Sequence, residues 1–266
     1  IDSTTSLSLN TWYNVICTYD GNGGNNAADG MNIYINGVLE TPTNIVKQSY
    51  VAMSNTTAPV NIGRYGAAAS PLSAKVDEIS VYDSELLQAD VDSVYNSGEP
   101  TTISGAVAHW RMGEDASFNG TNWTVPDNVG TSTGTSANMT VDDLVGEAPN
   151  YSGGGISSGM TIEDRVGDAP NSTNNALSFN MDEVDRVEDT PEASSFTNTY
   201  SLELDGVDDY VSLGTISALN GGISAFSSSV WFNYNGTPSS SKYMLLSGGT
   251  GVTDRFYIQL IAADTI

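Results

Sequence analysis

Trp12-Tyr13-Asn14-Val15-Ile16-Cys17-Thr18-Tyr19-Asp20-Gly21 alternates strictly: Tyr13, Val15, Cys17 and Tyr19 fall on one side of an extended chain, Asn14 and Thr18 on the other. Period two is the mark of a half-buried strand. The pattern returns from Met31 to Leu39, where Met31, Ile33 and Ile35 alternate with Asn32, Tyr34 and Asn36. Asn36-Gly37 then marks a tight hairpin, because both residues tolerate the positive φ that a type I′ turn requires. Working outward, further strands are predicted at 59–64, 74–82, 200–205, 210–213, 227–234 and 255–261. One segment has helical spacing. Ser84 is placed to cap a helix over Glu85–Asn96, with Leu87, Val91, Val94 and Tyr95 on one stripe and Gly98-Glu99-Pro100 as the stop. Many short strands, Gly/Asn/Ser turns and a single helix predict an all-β chain folded as an antiparallel β-sandwich, with the helix as an ornament.

The chain has 266 residues and is 39% hydrophobic, enough to bury a real core. It carries 8 Lys and Arg against 32 Asp and Glu, a formal charge of -24. That field repels phosphate backbones and anionic lipid surfaces, so nucleic acid is excluded as a partner. No apolar run reaches the ~20 residues that span a bilayer, which argues against membrane insertion. A single cysteine, Cys17, permits no intramolecular disulfide and, within an alternating apolar run, reads as a buried, inert thiol. The chain opens at Ile1 without Met and closes at Ile266 in a strand pattern, so both ends read as cut.

After Pro100 the composition shifts to Gly, Ser, Thr, Asn and Asp as far as Ser195, and only Val107–Met112 reads as a strand. Within this stretch residues 139–150 recur, with roughly two-thirds identity, as residues 160–171, a local duplication and not a sustained repeat. An extended surface insertion is expected, with a receptor-contacting loop as the functional alternative.

Four segments, in order, resemble the second half of a laminin G-like, concanavalin A-like jelly roll: Trp12–Gly21, Met31–Leu39, Val60–Arg64 and Lys75–Asp83, the last reading Lys-Val-Asp-Glu-Ile-Ser-Val-Tyr-Asp. A short helix ending in Val94-Tyr95-Asn96 also suits that family. Leu202-Glu-Leu-Asp-Gly-Val-Asp-Asp-Tyr-Val211 and Ser229-Val-Trp-Phe232 resemble the family's first half, and Gly105–Met112 the opening strand of such a module. A second half therefore precedes a first half, as in a tandem array cut within two modules. The expected divisions are 1–100, the second half of a module; 101–198, an opening strand with a linker-insertion; and 199–266, a first half that packs with 1–100. Each half alone would leave an apolar sheet face uncovered.

The resemblance implies a non-catalytic binding or adhesion module, on an extracellular or virion surface, that recognises a glycan or a protein receptor beside neighbouring modules of the same chain. A structural spacer without small ligand and an appendage of a polysaccharide-degrading enzyme are the alternatives. One histidine, His109, rules out a His-dependent triad or a two-His zinc site within the chain. Glycosidases of the same superfamily need two carboxylates across a sugar cleft. Here Asp77 and Glu78 are adjacent, which on a regular strand sends them to opposite faces, and this argues against an enzyme. Calcium suits the excess of hard oxygen ligands in turns beside strand ends. Since the family commonly holds structural calcium where first and late strands meet, the candidates are Asp205, Asp208 and Asp209 with Asp77 and Glu78. Asp205 bonding its own turn is the simpler reading of the first three. For a sugar ring, the aromatic candidates are Trp123, Tyr34, Tyr65 and Tyr243, while Trp12, Trp110 and Trp231 are assigned to the core.

Overall fold

The computed structural model describes residues 1–43, 59–64, 71–101, 104–149, 198–216, 225–236, 242–247 (backbone only) and 257–260. Ile1–Asn150 and Thr197–Ile266 form one compact unit; the other, Tyr151–Phe196, lies outside the described residues. Tyr65 and the second copy of the duplicated segment also lie outside them, as does the side chain of Tyr243.

The described unit is mostly β. Its strands are β1 (Trp12–Tyr19), β2 (Met31–Ile35), β3 (Val38–Leu39), β4 (Val60–Ile62), β5 (Ser73–Tyr82), β6 (Ala108–Trp110), β7 (Ser117–Phe118) and β8 (Trp123–Val125). They continue with β9 (Gly134–Ala137), β10 (Leu144–Val145), β11 (Ser201–Asp205), β12 (Tyr210–Gly214), β13 (Phe226–Tyr234), β14 (Lys242–Ser247) and β15 (Tyr257–Leu260). One sheet runs β10-β11-β5-β13-β1-β2-β3, with β6 also on β5; the second runs β15-β14-β4-β12-β9-β8-β7. The strand pairs are antiparallel, as adjacent β1 and β2 show. Val15, Val76, Ile79 and Phe232 from the first sheet meet Ile62, Val125, Val211 and Ile258 from the second in one core, which makes the molecule a two-sheet sandwich.

Strand β13 lies between β1 and β5, with Trp12 opposite Asn233 and Trp231 opposite Asp77. Its nine residues are all buried, although Ser227, Ser228 and Ser229 make it read as half polar. Ser227 and Ser229 have partners on the outer face: the Asn14 amide donates to Ser229 Oγ at 3.0 Å, and Ser227 Oγ accepts the Leu86 N–H and donates to the Ser84 carbonyl. Helix α1 (Gln88–Tyr95) closes that face, packing Val91 and Val94 on Ile16, Tyr34 and Tyr82. The helix starts three residues later than the sequence predicts. Ser84 is engaged with β13, and the Leu87 N–H is capped from within by Asp90 at 3.0 Å. Asn36 (φ 50°) and Gly37 (φ 78°) form the expected β2–β3 hairpin.

The strand expected at Val107–Met112 is β6, with Trp110 in the core as assigned, whereas residues 117–145 depart from the expected surface insertion, contributing β7 to β10 and burying Trp123, Val125 and Met139 in the core. The polar composition masked this because the strands are two to four residues long and side chains organise the turns. The Asp127 carboxylate alone accepts the N–H groups of His109, Val129, Gly130 and Ser132. The first copy of the duplicated segment lies in this region, adding β10 to β11.

Candidate metal centre

Strand β5 pairs with β13 along one edge, but its other edge changes partner. Val76 faces Leu202 of β11, whereas Ile79 faces Trp110 of β6. Asp77 and Glu78 lie in the gap between these two ladders. The register against β13 slips at the same point, between Ser229 and Trp231, and Glu78 takes φ 44°. This is a β-bulge: two β5 residues share the space of one on β13, and the local bend re-aims the side chains.

The bulge overturns the expectation that adjacent Asp77 and Glu78 face opposite sides. Their carboxylate oxygens, together with one from Glu114, lie within 4.8 Å of one another. Glu114 comes from the turn after β6, and its Oε1 accepts the N–H groups of Thr199 and Tyr200 just ahead of β11. Glu78 is 2% exposed and fully engaged, with His109 Nε2 at 2.7 Å from one oxygen and Arg111 Nε at 3.1 Å from the other. Asp77 Oδ1 accepts the Glu78 N–H at 2.9 Å.

Three buried oxygens on the residues of this junction have no partner: Asp77 Oδ2, Glu114 Oε2 and Asn198 Oδ1. A buried acceptor left unsatisfied costs about 1–3 kcal/mol, more when charged. Burial, reinforced by the charges of Glu78 and Glu114, holds the Asp77 carboxyl well above the ordinary range, against the lowering effect of the neighbouring Asn198 side chain and the Glu78 N–H. Desolvation likewise raises Glu114, against the lowering effect of its backbone hydrogen bonds and Arg111. Hard oxygens, excess negative charge and unmet acceptors fit a cation such as calcium. Asp77, Glu114 and Asn198 are the residues that would hold it, with Glu78 kept in place by His109 and Arg111.

Asp205, Asp208 and Asp209 form a second cluster within the same 4.8 Å limit. Asp205 pairs with Ser73 on β5, about 13 Å along the strand from Asp77 at ~3.3 Å per residue, so the five predicted ligands belong to two places and not one. In the second, Asp205 Oδ1 accepts the Val207 and Asp208 N–H groups, and Asp209 Oδ2 accepts that of Asp205. The turn uses these oxygens itself. Burial pushes the Asp209 carboxyl up to about 6.

The aromatic candidates offer no sugar platform among the described residues. Trp123 is 4% exposed, with its indole N–H donating to the Thr140 carbonyl, and Tyr34 is 6% exposed beneath α1. Both rings are spent on packing, which an alternating pattern alone cannot distinguish from display. Trp231 is buried and stacks on Tyr95 at 5.8 Å, while Trp12 is half-buried. Cys17 is half-buried against the core with its thiol pushed up to about 12 by desolvation, so it stays protonated. Glu114 and Asn198 were missed because nothing in a Gly/Asn-rich sequence signals a side chain that closes a gap between two ladders.

The described residues thus form an antiparallel two-sheet sandwich with an acidic junction on its longest strand. Residues 1–92 match the family model of the concanavalin A-like lectin/glucanases superfamily, laminin G type. No curated protein and no solved structure matches the chain. The superfamily holds both lectins and glucanases, so the fold is compatible with carbohydrate binding. Acidic clusters able to hold a metal are present. No helix among the described residues is long and apolar enough to cross a membrane.

Proposed function

We propose that the chain is a non-catalytic binding or adhesion module of an extracellular or virion-surface protein, one that recognises a glycan or receptor and is braced by calcium at the β5 junction. The observation that supports it best is the burial of the Asp77 and Glu78 carboxyls beside the half-buried Glu114, together with the unmatched oxygens of Asp77 and Glu114. A glycosidase needs its acid and its nucleophile or base exposed to a sugar on both sides of the scissile bond. Asp77 and Glu78 are 0% and 2% exposed, and Glu78 is clamped by His109 and Arg111. Such a group stabilises a fold and has no access to a polymer chain. Calcium there would tie β5 to the segments that lead out of β6 and into β11, closing the gap between the two ladders.

The negative charge of the whole chain favours neutral glycans or basic protein patches over anionic polymers. The test is a glycan array probed with the full chain, with calcium and with chelator. Binding that disappears on chelation and returns with calcium supports the reading. Release of reducing sugar from a soluble glucan, abolished by Asp77→Asn, would contradict it.

A further inference from the structure

On the outer face of the first sheet, a lysine, an asparagine and a carboxylate meet in an arrangement that an ordinary ion pair does not need. Lys75 of β5 and Asn233 of β13 are directly opposite each other in the ladder, so both side chains leave the same face. Glu147 arrives from the segment after β10, and Ser201 Oγ, on the first residue of β11, donates to its carbonyl at 2.5 Å. Its carboxylate divides between the two: Oε2 pairs with Lys75 Nζ, and Oε1 accepts from Asn233 Nδ2 at 3.2 Å. Asn233 is 2% exposed and the Lys75 side chain 20%, while Glu147, at 49%, opens the cluster to solvent on one side.

We propose that Lys75 and Asn233 join in an intramolecular amide cross-link, with Glu147 as the proton carrier. A lysine amine is a competent nucleophile once it loses its proton, and a carboxylate touching both reacting groups supplies acid and base in turn. Glu147 takes a proton from the Lys75 ammonium, and the neutral Nζ attacks Cγ of Asn233. The Nζ–Cγ bond forms and the Cγ–Nδ2 bond breaks. Of the three Nζ protons, one remains in the new amide and two pass through Glu147 to Nδ2, which departs as ammonium. Glu147 ends as it began, and the step consumes no oxidant or reductant. Holding the partners opposite one another in a ladder removes the entropic cost of bringing them together. The link would fasten β5 to β13, strands far apart in the sequence, in a chain whose single cysteine allows no disulfide between them.

Intact-mass spectrometry of the purified full chain tests this directly. The wild type is expected to be lighter than its sequence by one ammonia, about 17 Da, and its digest to contain one species joining the Lys75 peptide to the Asn233 peptide. Lys75→Arg keeps the ion pair but has no amine to link, and Glu147→Gln loses the proton carrier; both are expected at full mass. A wild type at full sequence mass overturns the proposal. So does an ammonia loss that persists in Lys75→Arg, which would place the loss in a succinimide elsewhere.

Discussion

Asp77 is the residue on which the most physical chemistry converges: fully buried, next to a second carboxylate, close to a third, and with one oxygen unmatched. Without a cation, the native state relieves this by holding protons that the unfolded chain releases. Replacing Asp77 by Asn removes the charge but keeps the shape. In chelator at pH 7, Asp77→Asn is therefore expected to be more stable than wild type by about 1–2 kcal/mol, measured by urea unfolding. Asp209 gives a pH prediction with a defined window. Its native pKa of about 6 exceeds the unfolded value, so the native state binds more protons between roughly pH 4 and 6. Its contribution to stability is thus highest below that window and falls as pH rises through it. Asp209→Asn should flatten the decline of the urea midpoint from pH 4 to 6; an unchanged decline would mean that other groups cause it.

At the scale of elements, the β2–β3 hairpin and the β5 bulge show what could and could not be read from the sequence. Asn36-Gly37 was legible because positive φ at two successive positions has a short list of residues that accept it. Gly37 carries a second constraint that was invisible: a Cβ there would come within 2.7 Å of the Tyr95 ring at the end of α1. Gly37→Ala combines backbone strain with that clash and is expected to cost about 1–3 kcal/mol, read as a lower thermal midpoint. The bulge at Glu78 was illegible for a different reason. Alternation assumes one residue per rung, and the extra residue on β5 falls where β6 ends and β11 begins, two strands distant in sequence. The same dependence on distant partners hid β7 to β10, whose rungs are Ser, Thr and Gly as often as apolar residues.

For the whole molecule, the order of strands in the first sheet matters most. β13, from late in the chain, separates β1 from β5, so no contiguous early fragment contains both neighbours of either strand. Residues 1–149 alone are expected to show no cooperative unfolding transition, and addition of residues 198–266 to restore one, followed by circular dichroism. The sequence announced this architecture through the alternation of Tyr13, Val15 and Cys17, and through Val230 and Phe232 in their own strand. It did not announce that Trp123 and Met139 would complete the core, because single apolar residues in polar surroundings carry no period.

The central claim is that the gap between the two ladders on β5 holds a cation, and calcium-dependent thermal unfolding of the full chain tests it most directly. Wild type should gain several degrees in its midpoint on moving from chelator to calcium, the increase growing with calcium concentration as linkage requires, while Asp77→Asn and Glu114→Gln should gain little. Midpoints that are identical with chelator and with calcium in the wild type, or an equal gain in both variants, would contradict the account.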